Sequence, residues 1–335
     1  EPTYAFNMGD FRPAMDRRDS YGFRCALYPD GMNSLPPRLL EPVALREAVD
    51  WTRREPVPDD EFRYLRRFHD YTKTEIEPEA REVVEESQSR MMERIVFDAV
   101  YEGPKMVAYL FIPKGVEPPY QTVIFFPGTG AFQNRSFDDL DQPVFVDLLL
   151  KSGRAVMYPV YRGSYERWLP DGLPWNDPNR FRQWVGNMSK DFRRSIDYLE
   201  TRDDISTNTL AYFGFSFGGI LGPIFLALEP ERIQCAVFVA GGLPRRSPPD
   251  EANPFQFAPR VRVPVLMLNG KEDIAFPYET CQKPLFDTLG TSDSLKQHIT
   301  YPGGHALFAE FGKAIRGDVV SWLDKYQGPV TRKKP

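Results

Sequence analysis

The sequence predicts a doubly wound α/β fold: a mostly parallel sheet preceded by an N-terminal helical extension. Three observations carry the prediction. Five short, nearly continuous apolar runs, 122–126, 155–159, 210–213, 236–239 and 265–268, have the character of strands buried on both faces. Segments of helical length and apolar spacing, 137–151, 190–201, 217–228, 278–289 and 307–326, fall between or after them. Two alternating runs, 94–101 and 105–112, flank Glu102-Gly103-Pro104 and read as a β-hairpin that opens the sheet. Strands that alternate with helices make parallel crossovers, and ligands then bind beyond the carboxyl ends of the strands.

Taken in chain order, residues 1 to about 58 are rich in Pro, Arg and aromatic side chains without sustained periodicity, and read as extended chain with short helical pieces. Asp59 and Asp60 can cap a helix that carries Phe62, Leu65 and His69 on one face. Pro78 suits the first turn of a second, acidic helix over 79–92. The organisation expected is a tail at 1–30, an extended and helical extension at 31–92, a catalytic domain at 93–327 and a short tail at 328–335. The tail's Tyr4, Phe6, Phe11, Tyr21 and Phe23 are expected to cover apolar surface on that body. The connection 161–186, with Trp168, Trp175 and Trp184 among several prolines, is long for a strand-to-helix link, and long links are often functional.

Composition narrows the function. The 42 Lys and Arg against 47 Asp and Glu leave a net charge of −5, with no basic stripe to grip a phosphate backbone, so nucleic acid is not an expected partner. No apolar stretch approaches the roughly 20 residues of a membrane span. Three cysteines without a C-x-x-C pair argue against a disulfide framework or a zinc site and for a reducing, cytoplasmic compartment. The chain opens on Glu1, which suggests a fragment or a processed form. Neither a phosphate-binding glycine motif nor H-E-x-x-H is present, so the sequence offers no motif for a nucleotide cofactor or a metal.

Chemistry concentrates in one constellation. After the run ending at Phe213 comes Gly214-Phe215-Ser216-Phe217-Gly218, followed at once by a helical stretch, which is G-x-S-x-G between a buried strand and a helix. Glycines flank the serine because the elbow is too tight for side chains, and the tightness projects Oγ outward. A serine needs a base. His69 lies on a helix stripe and His298 in an alternating strand, whereas His305 follows Pro302-Gly303-Gly304 on a loop free to reach the elbow. The carboxylate that orients a triad histidine is expected between the two in the chain, after 263–270, where Glu272 and Asp273 compete; Asp273 is the better placed to fold back over the strand end. An oxyanion hole needs two backbone N–H groups, for which Phe217 supplies one and Thr129, with Gly130 in reserve, the other.

These residues resemble the α/β-hydrolase superfamily, and within it the dienelactone-hydrolase and acetyl-xylan-esterase-like branch, over about residues 93–327. Its carriers are Pro127-Gly128-Thr129-Gly130, the Gly214 to Gly219 elbow, Gly270-Lys271-Glu272-Asp273 and Gly303-Gly304-His305. Ser216 stands where true dienelactone hydrolases have a cysteine, which favours ordinary carboxylic ester hydrolysis over lactone specificity. Residues 1–30, with Tyr21-Gly22-Phe23-Arg24-Cys25, are similar to the end of formylglycine-generating-enzyme-like (sulfatase-modifying-factor) domains. Such a tail joined to this hydrolase resembles bacterial proteins that fuse a kinase, a sulfatase-modifying-factor-like domain and a C-terminal hydrolase, so fusion to further domains is implied.

The function expected is a serine carboxylesterase that needs no cofactor and acts on a small-molecule ester through an acyl-enzyme on Ser216. Phe132, Tyr161, Tyr165 and Phe276 lie near the predicted site in sequence and are expected to wall a compact pocket for short acyl groups. A peptidase or amidase of prolyl-oligopeptidase kind shares the elbow and the loop order, but the chain lacks a propeller-sized N-terminal domain. A non-catalytic regulatory module is the third reading, against which three intact groups on three separate loops argue.

Overall fold

The computed structural model describes residues 48–332. The expected tail at 1–30, with its aromatic residues and Cys25, lies outside them. One nine-stranded sheet organises the rest, in the spatial order β1-β2-β3-β5-β4-β6-β7-β8-β9. The strands are β1 (Ala80–Glu86), β2 (Arg90–Phe97), β3 (Met106–Pro113), β4 (Thr122–Phe126), β5 (Ala155–Val160), β6 (Ala211–Phe215), β7 (Cys235–Val239), β8 (Val265–Gly270) and β9 (Lys296–Tyr301). β1, β2, β3 and β5 pair antiparallel; β5, β4, β6, β7, β8 and β9 are parallel. This is the α/β-hydrolase arrangement. Every residue of β3 through β8 is buried, which is why these strands read as unbroken apolar runs.

The principal helices are α1 (Asp59–Arg67), α2 (Pro143–Lys151), α3 (Pro178–Leu199), α4 (Phe217–Leu228), α5 (Pro254–Phe257), α6 (Lys283–Thr288) and α7 (Phe308–Tyr326). α3 starts twelve residues before the expected 190, because Asp177 accepts the Asn179 and Arg180 amides and Pro178 fits the first turn. The long connection after β5 therefore ends at Asp177. Residues 137–142 are not part of α2: Phe137–Asp139 form a separate 3-10 turn, and Gln142 is left-handed with φ 54°. The helix expected over 278–289 opens as a π-helical turn before α6.

The largest departure is at 79–92, where a helix was expected and β1 with the start of β2 is found. Period-two burial of Glu93, Ile95 and Phe97 aligns β2 along β3, and its free edge then recruits the preceding segment. Charge completes the pairing: Arg81 grips Glu93 at 2.9 Å and Arg90 grips Glu85 at 2.8 Å across the two strands. Pairing with a formed strand thus overrides local helical preference. The sheet consequently begins at residue 80 rather than 93. β1 is a short, largely exposed, charged edge with an irregularity between Val83 and Glu85, features that discourage further strand addition. Among the described residues no helix is long and apolar enough to cross a membrane.

Candidate active site

β6 ends at Phe215 and α4 starts at Phe217, so Ser216 alone makes the turn. Its backbone has φ 51° and ψ −103°, a conformation a non-glycine residue holds only when its surroundings impose it. They do so here through the Ser216 amide, which donates to the Val239 carbonyl at 2.8 Å, and the Gly218 amide, which donates to Pro127 at 3.2 Å. Tyr212 adds a hydroxyl bond to the Gly218 carbonyl at 2.7 Å. At Gly218 a Cβ would fall 2.4 Å from the Phe126 carbonyl oxygen, so only glycine lets the helix start approach β4 this closely.

His305 reaches the serine from the loop between β9 and α7. Its Nε2 lies 3.0 Å from Ser216 Oγ and its Nδ1 lies 2.8 Å from Asp273 Oδ2. Because an ionised carboxylate only accepts, Nδ1 carries the hydrogen, and Nε2 is left to accept from the serine hydroxyl. The other Asp273 oxygen accepts the Ala275 and Phe276 amides at 2.8 and 3.1 Å, which locks the acid in place. All three side chains are buried, whereas the neighbouring Glu272 is exposed and makes no contact with His305. Backbone bonds from Lys271 to Tyr301 and from Glu272 to Gly303, both 2.9 Å, tie the acid loop to the histidine loop. Buried Gln282 braces the acid loop, donating to the Gly270 and Phe276 carbonyls at 2.7 Å; no motif in the sequence singled it out.

The loop after β4 forms a 3-10 turn over Thr129–Phe132. Thr129 and Gly130 line a cavity of 370 Å³ together with Ser216 and His305. The Phe217 amide is the first of α4 and has no partner within the helix, as at any helix start. A second cavity, of 490 Å³, touches the first at Thr129 and is walled by Trp175, Phe181, Phe217, Ile220 and the loop from Pro244 to Pro254. Trp175 comes from the long connection flagged in the sequence.

The four rings expected to wall the pocket line neither cavity. Tyr161 is fully buried behind β4, with its hydroxyl on the Phe125 carbonyl. Tyr165 is buried too, and its hydroxyl accepts the Asp141 amide at 2.9 Å. Phe132 packs edge-on against Phe217 and Trp184, and Phe276 is buried with its ring 5.6 Å from that of His305. In their place Phe145, Phe215 and Phe308 wall the cavity at the serine. Asp141 joins them, a residue without any motif to mark it. Burial raises its carboxyl above the ordinary range, against the opposing pull of the Ala131 amide.

The other two histidines stand apart. His69 is fully buried between the Ser189 hydroxyl and the Glu251 carbonyl, and His298 pairs with Asn269 on β8. Among the described residues no three of His, Cys, Asp and Glu converge to hold a metal ion.

Solved structures share this architecture at low sequence identity. Acetyl xylan esterase 1 from Thermoanaerobacterium sp. JW/SL YS485 superposes with a TM-score of 0.61 at 17% identity, covering 82% of this chain and 96% of the other. The acetyl xylan esterase from Paenibacillus sp. R4 gives 0.59 at 18% identity, covering 80% and 92%. A cold-adapted esterase from an Arctic intertidal metagenomic library gives 0.56 at 20%, covering 72% and 96%. No curated protein matches the chain significantly. The sequence model of the dienelactone hydrolase family matches residues 106–321, from β3 well into α7, and with most of the chain so covered the protein belongs to that hydrolase family.

Proposed function

We propose that the protein is a serine carboxylesterase that forms an acyl-enzyme on Ser216. The observation that carries the reading is the unbroken line from Ser216 Oγ through His305 to Asp273, with contacts of 3.0 and 2.8 Å. His305 Nε2 takes the serine proton as Oγ attacks the ester carbonyl, and Asp273 stabilises the imidazolium so formed. The amides of Phe217 and Thr129, with Gly130 in reserve, receive the oxyanion. Collapse breaks the bond to the leaving alcohol, which departs with the proton from His305. Water then repeats the sequence on the acyl-enzyme and releases the acid.

Short acyl groups, from acetyl to about butyryl, are the proposed substrates. With the four interior rings withdrawn as walls, the reading rests on the 370 Å³ cavity at Ser216, bounded by Phe145, Phe215 and Phe308, which must seat both halves of the ester. The companion proposals rest on sequence alone: a cytoplasmic location from the cysteine pattern, and fusion to further domains from residues 1–30.

The test is a p-nitrophenyl ester series from acetate to palmitate with a matching anilide, alongside Ser216→Ala and a fluorophosphonate label located by mass spectrometry. Ester hydrolysis should fall beyond butyrate, the label should sit on Ser216, and Ser216→Ala should abolish both. Rates that climb to decanoate would put the acyl chain in the 490 Å³ cavity, and faster anilide than ester cleavage would make the protein an amidase.

A further inference from the structure

The cavity that holds Ser216 and His305 has one other ionisable group in its wall, Asp141, and neither Lys nor Arg among the described residues. The carboxylate lies against the turn proposed to receive the oxyanion: a Cβ on Gly130 would fall 2.5 Å from its Oδ1, and one on Gly128 3.5 Å from its Oδ2. The Ala131 amide donates to it, and no cation among the described residues pairs with it. A negative charge in that position repels the oxyanion as it forms, so it opposes catalysis unless something positive enters with the substrate. The rest of the wall suits such a guest. Phe145 packs 5.0 Å from Phe215 and 5.2 Å from Phe308, and all three rings border the cavity. A carboxylate beside clustered aromatic rings is the environment that binds alkylammonium groups. The neighbouring cavity has the opposite character, with Arg246 its only ionisable residue among the described residues.

We propose that the protein selects esters whose leaving alcohol carries a cationic nitrogen, held between the Asp141 carboxylate and the rings of Phe145, Phe215 and Phe308. The alcohol side is assigned because His305, which returns the proton to the leaving oxygen, opens on this same cavity. The cation would offset the repulsion between Asp141 and the oxyanion, so charge recognition would favour the transition state as well as binding. This rests on the esterase reading for its chemistry, but the binding it asserts can be measured without turnover.

The probes are acetylcholine and its uncharged isostere 3,3-dimethylbutyl acetate, titrated calorimetrically at pH 8 and low salt into the full chain carrying Ser216→Ala. Acetylcholine should bind at least about tenfold more tightly, within the range of a desolvated cation beside aromatic rings. Adding Asp141→Asn should bring the ratio to within about twofold, and Phe308→Leu, which keeps the apolar volume, should weaken only the cationic probe. Equal or tighter binding of the isostere, binding of neither probe, or a preference that survives either substitution would overturn the proposal. Wild-type turnover is measured alongside. Selective cation binding without hydrolysis of any ester would overturn the esterase reading and with it the assignment to a leaving alcohol, and would leave the cation site at Asp141 standing.

Discussion

Asp273 and Glu272 are adjacent acids whose surroundings decide their roles. Asp273 is buried, with one oxygen on His305 and the other on two amides, while Glu272 faces solvent. Asp273→Asn should therefore lower kcat/KM about a thousandfold or more through the wrong imidazole tautomer, and Glu272→Gln should change it less than about twofold. Steady-state kinetics of the two variants on one p-nitrophenyl ester checks the order. His69 makes a second prediction, about stability. Burial, only partly opposed by its bond to the Glu251 carbonyl, drives its folded-state pKa down to about 4. The unfolded chain therefore binds the proton more readily between about 4 and the ordinary value of 6.5. The contribution is fully present above 6.5 and is lost as pH falls through that window, on the order of 2 kcal/mol by pH 5. Urea midpoints should fall from pH 7 to pH 5, and by less in His69→Gln if that variant folds.

Residues 48–70 and the loop carrying α5 act as one element. Trp51 donates from its indole to the Pro244 carbonyl at 2.9 Å, the Val49 amide donates to Arg245 at 3.0 Å, and the Val57 amide donates to the Gln256 side chain at 2.8 Å. Rings reinforce the joint, with Trp51 4.9 Å from Phe255 and Phe62 5.1 Å from Phe257. The same loop, from Pro244 to Pro254, walls the 490 Å³ cavity, so the N-terminal segment shapes that cavity without touching it. Trp51→Ala should lower stability by about 3 to 5 kcal/mol, as deletion of a buried indole does, and should leave KM for acetate and butyrate esters within about twofold, because the cavity it perturbs is not the one at Ser216. Thermal melts and kinetics of the folded variant on the two esters check both outcomes.

Across the whole molecule, a buried ion pair joins the sheet to its helical layer. Arg167 and Asp191 meet at 2.7 Å with almost no exposure, and Arg167 also donates to the Val160 carbonyl at the end of β5. Asp191, on α3, further accepts the Tyr101 hydroxyl at 2.6 Å and the Arg162 amide at 2.8 Å. The network fastens the start of the long connection whose Trp175 lines the 490 Å³ cavity. Asp191→Asn would leave Arg167 charged and unpaired in the interior, at a cost of about 3 to 5 kcal/mol. Denaturant unfolding should report this as a shifted midpoint, with the double variant Asp191→Asn/Arg167→Met recovering part of the loss.

The strands from 122 to 270 and the serine turn were legible because their causes are local. A strand covered on both faces must be apolar at every position, and a turn as tight as the one at Ser216 admits only small neighbours at Gly214 and Gly218. His305 was legible by elimination among three histidines, since only one sits on a glycine-freed loop. What required the tertiary structure depends on partners distant in the chain. β1 is a strand because β2 offers it an edge and matching charges, although 79–92 taken alone favours a helix. Proximity in sequence placed Phe132, Tyr161, Tyr165 and Phe276 at the pocket, yet packing turned all four into the interior. The cavity wall is assembled instead from 128–130, 141–145, 215–216 and 305–309, segments brought together only by the crossovers. Asp141 belongs to this class: in the chain it is one more acid in an acidic loop, and only the fold sets its carboxylate against the turn beside Ser216.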